Sequence, residues 1–437
     1  MSRRIPPAPS APINPCTHVA MTARLLLAGA CVSVLLSTAC ARGSRPPAAP
    51  TGGGLTIRLT SVPASTPGGD TIHVAGTFNG WNPAAPDFGL SRQGPEQYTI
   101  ALPDSVRGPV EFKFTLGSWA SVELDSAGGD VPNRTFSIPD SGAATYTGTV
   151  AAWRDPRTVK ARPHTARPTV SVLDTTFTIP QLGRTRKVWV YVPPDYATST
   201  KRYPVLYLQD GQNVFDAATS FAGEWGVDET LDSLQAAGDW GAIVVAVEHG
   251  GPRRGDEYQP WPSAISGLGG GEGAQFGYFL VHTIKPYVDA RYRTRPDRLN
   301  TGIGGSSLGG LLSFYAAIKY PEVFGRALVF SPSFFTNPAV FSLARAARPL
   351  RPATRFYFVS GLNEGGTGPL PRAISLGQHA MVDTLASAGF DTAADVRSLL
   401  PADGAHAEWF WRREFPAAYR WLFAGAAVHT PASVPKR

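Results

Sequence analysis

From Val170 to about Ala424 the chain alternates short β-rich runs with amphipathic helical stretches, and this texture constrains the fold more than any other feature. The β-rich runs are Val188 to Val192, Val205 to Gln209, Ile243 to Val247, Ala327 to Ser331, Arg355 to Ser360 and Asp395 to Leu400. Helical stretches fall near Asp228 to Ala237, Gln275 to Val288, Gly309 to Lys319, Leu376 to Ala388 and Glu408 to Phe423. Alternation of this kind predicts an α/β domain, a mostly parallel sheet covered by helices on both faces.

Upstream the pattern changes. Leu55 to Leu59, Thr71 to Ala75, Gln97 to Leu102, Val110 to Leu116 and Ala144 to Val150 are short alternating runs punctuated by Gly, Pro, Asn and Asp. Their spacing predicts an all-β, immunoglobulin-like sandwich. Pro156, Pro163 and Pro168 lie among cations, so residues 151–170 read as an extended basic linker. The expected organisation is a leader over 1–40, a flexible tether over 41–54, the sandwich over 55–150, the linker over 151–170, the α/β domain over 171–425 and a tail over 426–437. A length of 437 residues, 43% hydrophobic and 17% charged, suits two globular domains. No internal repeat is found.

The formal charge of +7 first suggests nucleic acid as a partner, but its distribution argues otherwise. Residues 1–50 hold five Arg and no acid, and residues 151–170 hold five cations against Asp155. These two segments exceed the whole surplus, leaving no cationic face for phosphates on the folded parts. The only cysteines are Cys16, Cys31 and Cys40, so the folded part has no disulfide and no CxxC metal or redox site. No metal or organic cofactor is expected.

Arg24 precedes an apolar run, Leu25 to Leu36, of a length suited to a signal-peptide core rather than a membrane span, whether translation starts at Met1 or Met21. Export is the expectation. The following Leu36-Ser37-Thr38-Ala39-Cys40 resembles a bacterial lipoprotein box, with Ser37 where an apolar residue is usual. Lipidation of Cys40 would anchor a periplasmic or cell-surface protein to the membrane. Cleavage at Ala39-Cys40-Ala41 would instead release it.

Gly305-Ser306-Ser307-Leu308-Gly309 matches GxSxG in one register, with Ser307 at its centre. Leu299 to Ile303 can supply the preceding strand and Leu311 to Lys319 the following helix, so Ser307 falls on a sharp strand-to-helix turn. A Ser hydroxyl needs a base to become a useful nucleophile. His406, in the loop between Asp395–Leu400 and the last helix, is the candidate. His379 lies on an amphipathic helix, His429 in the tail, and His73, His164, His249 and His282 precede the serine. A developing oxyanion would need two N–H donors. Leu308 supplies the first, and Gly211 or Gln212, after the strand ending at Gln209, the second.

These residues resemble the enterochelin-esterase and esterase-D-like branch of the α/β-hydrolases. The likeness runs through Tyr207-Leu-Gln-Asp-Gly-Gln-Asn-Val-Phe-Asp216, Glu224-Trp-Gly-Val-Asp-Glu-Thr-Leu231, Arg253-Arg-Gly-Asp-Glu-Tyr258, Gly269-Gly-Gly-Glu-Gly273, Gly304-Gly-Ser-Ser-Leu-Gly-Gly310, Tyr320-Pro-Glu-Val-Phe-Gly325 and Phe330-Ser-Pro-Ser-Phe334. The resemblance implies an α/β-hydrolase fold and a serine esterase with Ser307, His406 and an acid after the strand between them, where Glu364 stands. Asp403 is the next candidate for that acid, ahead of Asp395 and the helical Asp383. The same resemblance puts Arg253, Arg254 and Glu257 in a loop that either borders the substrate cleft or is held by ion pairs.

The upstream segment resembles starch- and glycogen-binding modules through Val74-Ala-Gly-Thr-Phe-Asn-Gly-Trp-Asn-Pro83, Phe112-Lys-Phe-Thr-Leu-Gly-Ser-Trp119 and Asn133-Arg134. Trp81 and Trp119 are then candidate stacking platforms for sugar rings, with a spacer role as the competing reading. Together the resemblances imply acyl esters on a polysaccharide as substrate, a siderophore lactone as the alternative, and a non-catalytic surface binder or an acyltransferase as other classes. The sequence sets no oligomeric state.

Overall fold

In the computed structural model the chain from Val170 onward supplies eight strands of one sheet. They are β1 (Val170–Ile179), β2 (Arg184–Tyr191), β3 (Val205–Leu208), β4 (Ile243–Val247), β5 (Thr301–Ser306), β6 (Arg326–Phe330), β7 (Arg355–Val359) and β8 (Val396–Leu399). Their order across the sheet is β1-β2-β4-β3-β5-β6-β7-β8. β2 is antiparallel to both neighbours, and every pairing from β4 to β8 is parallel. The structure describes residues 54–67, 72–129, 131–155, 162–220, 223–265, 268–362, 364 and 369–423. The leader, Cys40, His429 and nearly all of the tether and tail lie outside the described residues.

The period of two along each strand divides the interior. In β4, Ile243, Val245 and Val247 join one core while Val244 and Ala246 join the other, and β3 and β6 divide likewise. Parallel strands buried on both faces read as unbroken apolar runs, which is how they stand in the sequence. The helices are α1 (Val227–Ala236), α2 (Arg254–Tyr258), α3 (Gly273–Phe279), α4 (Lys285–Arg291), α5 (Leu308–Lys319), α6 (Ala339–Ala346), α7 (Pro369–Ser387) and α8 (Glu408–Phe423). Phe276, Phe314, Val340 and Met381 bring α3, α5, α6 and α7 onto the first core. Val227, Leu231, Phe415 and Leu422 bring α1 and α8 onto the second. Each large apolar side chain so buried contributes about 1.5–3 kcal/mol.

The upstream segment forms the expected sandwich. Leu55–Ser61 lies between Tyr98–Ala101 and Ala144–Thr149 in one sheet, and Gly108–Thr115 lies between His73–Gly76 and Arg134–Ile138 in another. Ile57 and Leu59 from the first and Val74, Phe112 and Phe114 from the second share a single core. The segment expected to be a linker is fastened where it is described. Trp153 donates its indole N–H to Thr66 at 2.8 Å on the sandwich. Further on, His164 meets Asp216 at 2.7 Å, Thr165 donates to Glu224 at 2.7 Å, and the Arg167 N–H donates to Asp228 at 2.7 Å on the larger domain.

Candidate active site

Ser307 stands between the end of β5 and the first residue of α5 at φ 58°, ψ −124°, a backbone conformation that L-residues rarely adopt. Such a conformation costs about 1–3 kcal/mol and persists only where its surroundings hold it. Here the Ser307 N–H donates to the Phe330 carbonyl at 3.0 Å, while its own carbonyl accepts from Leu311 at 3.1 Å and Ser333 at 3.1 Å. The flanking glycines have a steric reason. A Cβ on Gly305 would lie 2.9 Å from the Gly309 backbone, and one on Gly309 would lie 3.1 Å from an Asp210 carboxylate oxygen. The helix can approach the strand this closely only because both lack side chains.

The other candidate groups stand at the same edge of the sheet. Ser306, Phe330, Val359 and Leu399 are paired across β5, β6, β7 and β8, so the loops that follow these strands are neighbours. Glu364, 1% exposed, lies in the loop after β7. One of its carboxylate oxygens accepts from the Ser331 hydroxyl at 2.5 Å and the Gly361 N–H at 2.6 Å, and the other meets His406 Nδ1 at 2.9 Å. An ionised carboxylate can only accept, so Nδ1 carries the imidazole hydrogen and Nε2 keeps its lone pair. Gly361 packs directly on Gly404, and the Leu362 N–H donates to the Pro401 carbonyl at 3.1 Å, tying the acid's loop to the histidine's. The Trp411 indole N–H donates to the Ser331 hydroxyl at 2.8 Å, and its ring meets His406 edge-on at 5.2 Å.

Burial disfavours the His406 imidazolium. The hydrogen bond and charge of Glu364, with further charge from Glu111 and Glu408, outweigh that and lift the imidazole above its ordinary value. Glu111 belongs to the sandwich strand Gly108–Thr115 and is held by the Asn133 amide at 3.0 Å. The Ser307 hydroxyl lies 3.3 Å from that of Ser333. Asp403 is turned away, its side chain 70% exposed and paired with Arg413. Asp395 meets Arg351 at 3.7 Å, and neither acid is the partner His406 has in Glu364.

The oxyanion donors expected at Leu308 and at Gly211 or Gln212 flank β5. Leu308 opens α5, where an N–H has no acceptor within the helix. Gly211–Asn213 forms a short turn after β3, and a Cβ on Gly211 would strike the backbone of Ala246 and Val247 at 2.7–2.8 Å. Asp210, at φ 55°, starts that turn and takes a bidentate pair from Arg254 at 2.7 and 2.9 Å. Burial would raise the Asp210 carboxyl, but the Arg254 charge and hydrogen bonds hold it below the usual carboxylate range.

The loop residues expected to touch substrate divide accordingly. Arg254 is committed to Asp210 and lies over the Tyr258 ring at 5.1 Å. Glu257 is fully buried, pairing with Arg184 at 2.8 Å and with Arg186, so it fastens α2 to β2. Arg253 stays 62% exposed and meets Asp256 at 3.3 Å. Trp81 and Trp119 lie together, ring centres 6.2 Å apart. Ser331, Ser333 and Trp411 are functional neighbours that the sequence reading missed. Among the described residues, Glu224, Asp228 and Glu229 bring carboxylate oxygens within 4.8 Å of one another. Burial pushes Asp228 up to about 7, and the group's bonds to Thr165, Arg167 and Arg412 make it a staple for the connecting segment.

A sequence-family model described as "Putative esterase" matches residues 179–422. An alpha-amylase of Niallia circulans is 44% identical over 101 residues, covering 23% of this chain and 8% of the amylase. An endo-1,4-beta-xylanase/feruloyl esterase of Xylanibacter ruminicola is 26% identical over 159 residues, covering 36% of this chain and 20% of that protein. The chain thus spans a small part of the length of these two relatives. Among solved structures, the enterobactin esterase FES from Shigella flexneri is 17% identical and covers 82% of this chain and 89% of its own, with a TM-score of 0.45.

Proposed function

Because the chain belongs to the esterase family matched over residues 179–422, and is an ester hydrolase, we propose that it is a serine esterase working through Ser307, His406 and Glu364 on acyl esters carried by carbohydrate. The observation that carries this reading is the strained Ser307 turn set at the same sheet edge as His406, whose Nδ1 is held by the buried carboxylate of Glu364.

In the proposed reaction the Ser307 oxygen attacks the ester carbonyl as His406 Nε2 takes its proton, while Glu364 holds the ring and stabilises the imidazolium. The Leu308 N–H and that of Gly211 or Gln212 receive the oxyanion; losing one such donor costs about 3–4 kcal/mol. Collapse of the tetrahedral adduct expels the alcohol, which takes its proton from His406. Water then attacks the acyl-enzyme by the same route in reverse and frees the acid.

A carbohydrate ester as substrate is supported by the amylase and xylanase/feruloyl-esterase relatives. It is supported too by the commitment of Arg254 to Asp210, which removes one of the two cations a catecholate lactone would have used. We extend the reading to an exported protein anchored through Cys40, on the strength of the leader and its lipoprotein-like box. Hydrolysis of p-nitrophenyl acetate by the parent and by Ser307→Ala tests the chemistry, and equal rates would end the proposal. Acetylated and feruloylated xylan beside a triscatecholate lactone test the substrate class, with turnover expected on the glycans.

A further inference from the structure

A cavity of about 900 Å³ opens between the sandwich and the larger domain. Trp119 and Arg154 line it from the sandwich side, Arg162 from the connecting segment, and Arg186, Gln212 and His249 from the larger domain. Gln212 also belongs to the turn proposed to receive the oxyanion, so the cavity and that turn share a residue.

Its lining combines two chemistries. Trp119, tilted against Trp81, offers a partly exposed indole, the kind of surface on which the C–H face of a sugar ring stacks. Around it stand three guanidiniums, with Glu248 the one carboxylate among the lining residues. Arg162 donates to the carbonyl and hydroxyl of Ser220, at 3.2 and 2.8 Å, both neutral acceptors, and it pairs with no carboxylate among the described residues. Arg186 shares its charge with the buried Glu257. A guanidinium fork matches a carboxylate bidentately, and Arg162, bonded only to neutral groups, has that fork's charge to offer.

We propose that this cavity is a subsite for an acidic sugar: a uronic-acid residue of the glycan stacks on Trp119, its carboxylate is met by Arg154 and Arg162, and the ester to be cut lies beyond Gln212. This deepens the carbohydrate-ester reading and rests on it. The enzyme then selects esters borne on uronate-bearing polysaccharides over those on neutral ones.

The test is calorimetric titration of the full chain carrying Ser307→Ala, so that nothing is hydrolysed. The ligands are a xylo-oligosaccharide with one glucuronic acid branch and the same oligosaccharide without it. Binding of the acidic ligand is expected to be about tenfold tighter, an advantage that shrinks between low and high salt. Arg154→Gln with Arg162→Gln should remove the preference, and Arg345→Gln, at an exposed position of α6, should keep it. Trp119→Ala should weaken both ligands. Equal affinities in the Ser307→Ala chain overturn the subsite whatever the other variants do. Tighter binding of a triscatecholate lactone, lost with the same two arginines, would overturn the sugar assignment. Neither result bears on esterase chemistry, which the p-nitrophenyl acetate comparison tests separately.

Discussion

His406 donates the hydrogen on Nδ1 to Glu364 across 2.9 Å, and the second oxygen of that carboxylate is held by the Ser331 hydroxyl and the Gly361 N–H. The carboxylate is therefore fixed from three sides before it fixes the imidazole. Its loop and the histidine's loop touch at glycine on both sides, Gly361 on Gly404.

Glu364→Gln should leave the fold in place and slow turnover by about ten-thousandfold, because an amide in that position can turn its N–H toward Nδ1 and favour the wrong tautomer. Steady-state kinetics on p-nitrophenyl acetate checks this, with KM expected to move far less than kcat.

The pH profile follows from the raised His406 value. A histidine whose folded value is raised stabilises the fold below its unfolded value, near 6.5, and loses that contribution as pH climbs through the folded value. Catalysis needs the neutral ring, so the acid limb of kcat/KM should have its midpoint above 6.5. Glu111→Gln removes one of the charges that favour the imidazolium, so the limb should move toward lower pH. A limb that stays in place in that variant would deny the sandwich any electrostatic hold on the histidine.

Arg254→Met leaves Asp210 without its bidentate partner. Breaking a fully enclosed pair costs about 3–5 kcal/mol; with 26% of the Arg254 side chain exposed, about 2 kcal/mol is expected. Denaturant unfolding measures it. Because Asp210 begins the Gly211–Asn213 turn, kcat should fall as well, with Arg254→Lys restoring part of both losses.

Gly305→Ala places a methyl 2.9 Å from the Gly309 backbone, where neither strand nor helix can give way cheaply. A destabilisation of about 1–3 kcal/mol is expected from overpacking. The drop in turnover, at least about tenfold, should exceed what lost stability explains, since the displaced segment carries Ser307.

Of the three candidate groups, His406 follows β8, an edge strand whose Arg397 and Ser398 are exposed, and is placed by its loop before the last helix. The other two could be placed from the sequence because Ser307 and Glu364 follow β5 and β7, strands buried on both faces. β1 escaped notice for the opposite reason: it is the sheet's edge, largely exposed, and its residues alternate without an apolar run. Family order points to Glu364 after β7 as the candidate acid, and its carboxylate meets His406, whereas Asp403, three residues from His406 and nearer in sequence, turns to Arg413. Ser331 left no signal, since its partners Glu364 and Trp411 lie 33 and 80 positions away. Arg254 and Glu257 illustrate the same limit. A charged loop residue faces substrate or protein according to partners on other elements, and those partners, Asp210, Arg184 and Arg186, are 44, 73 and 71 residues distant.

The bonds from His164, Thr165 and Arg167 to Asp216, Glu224 and Asp228 mean that the esterase half begins before its first strand. A chain trimmed to start at Val170 would strip the caps from three acids, and with Asp228 already lifted to about 7, the trimmed protein should lose solubility and cooperative melting first on the alkaline side of neutrality.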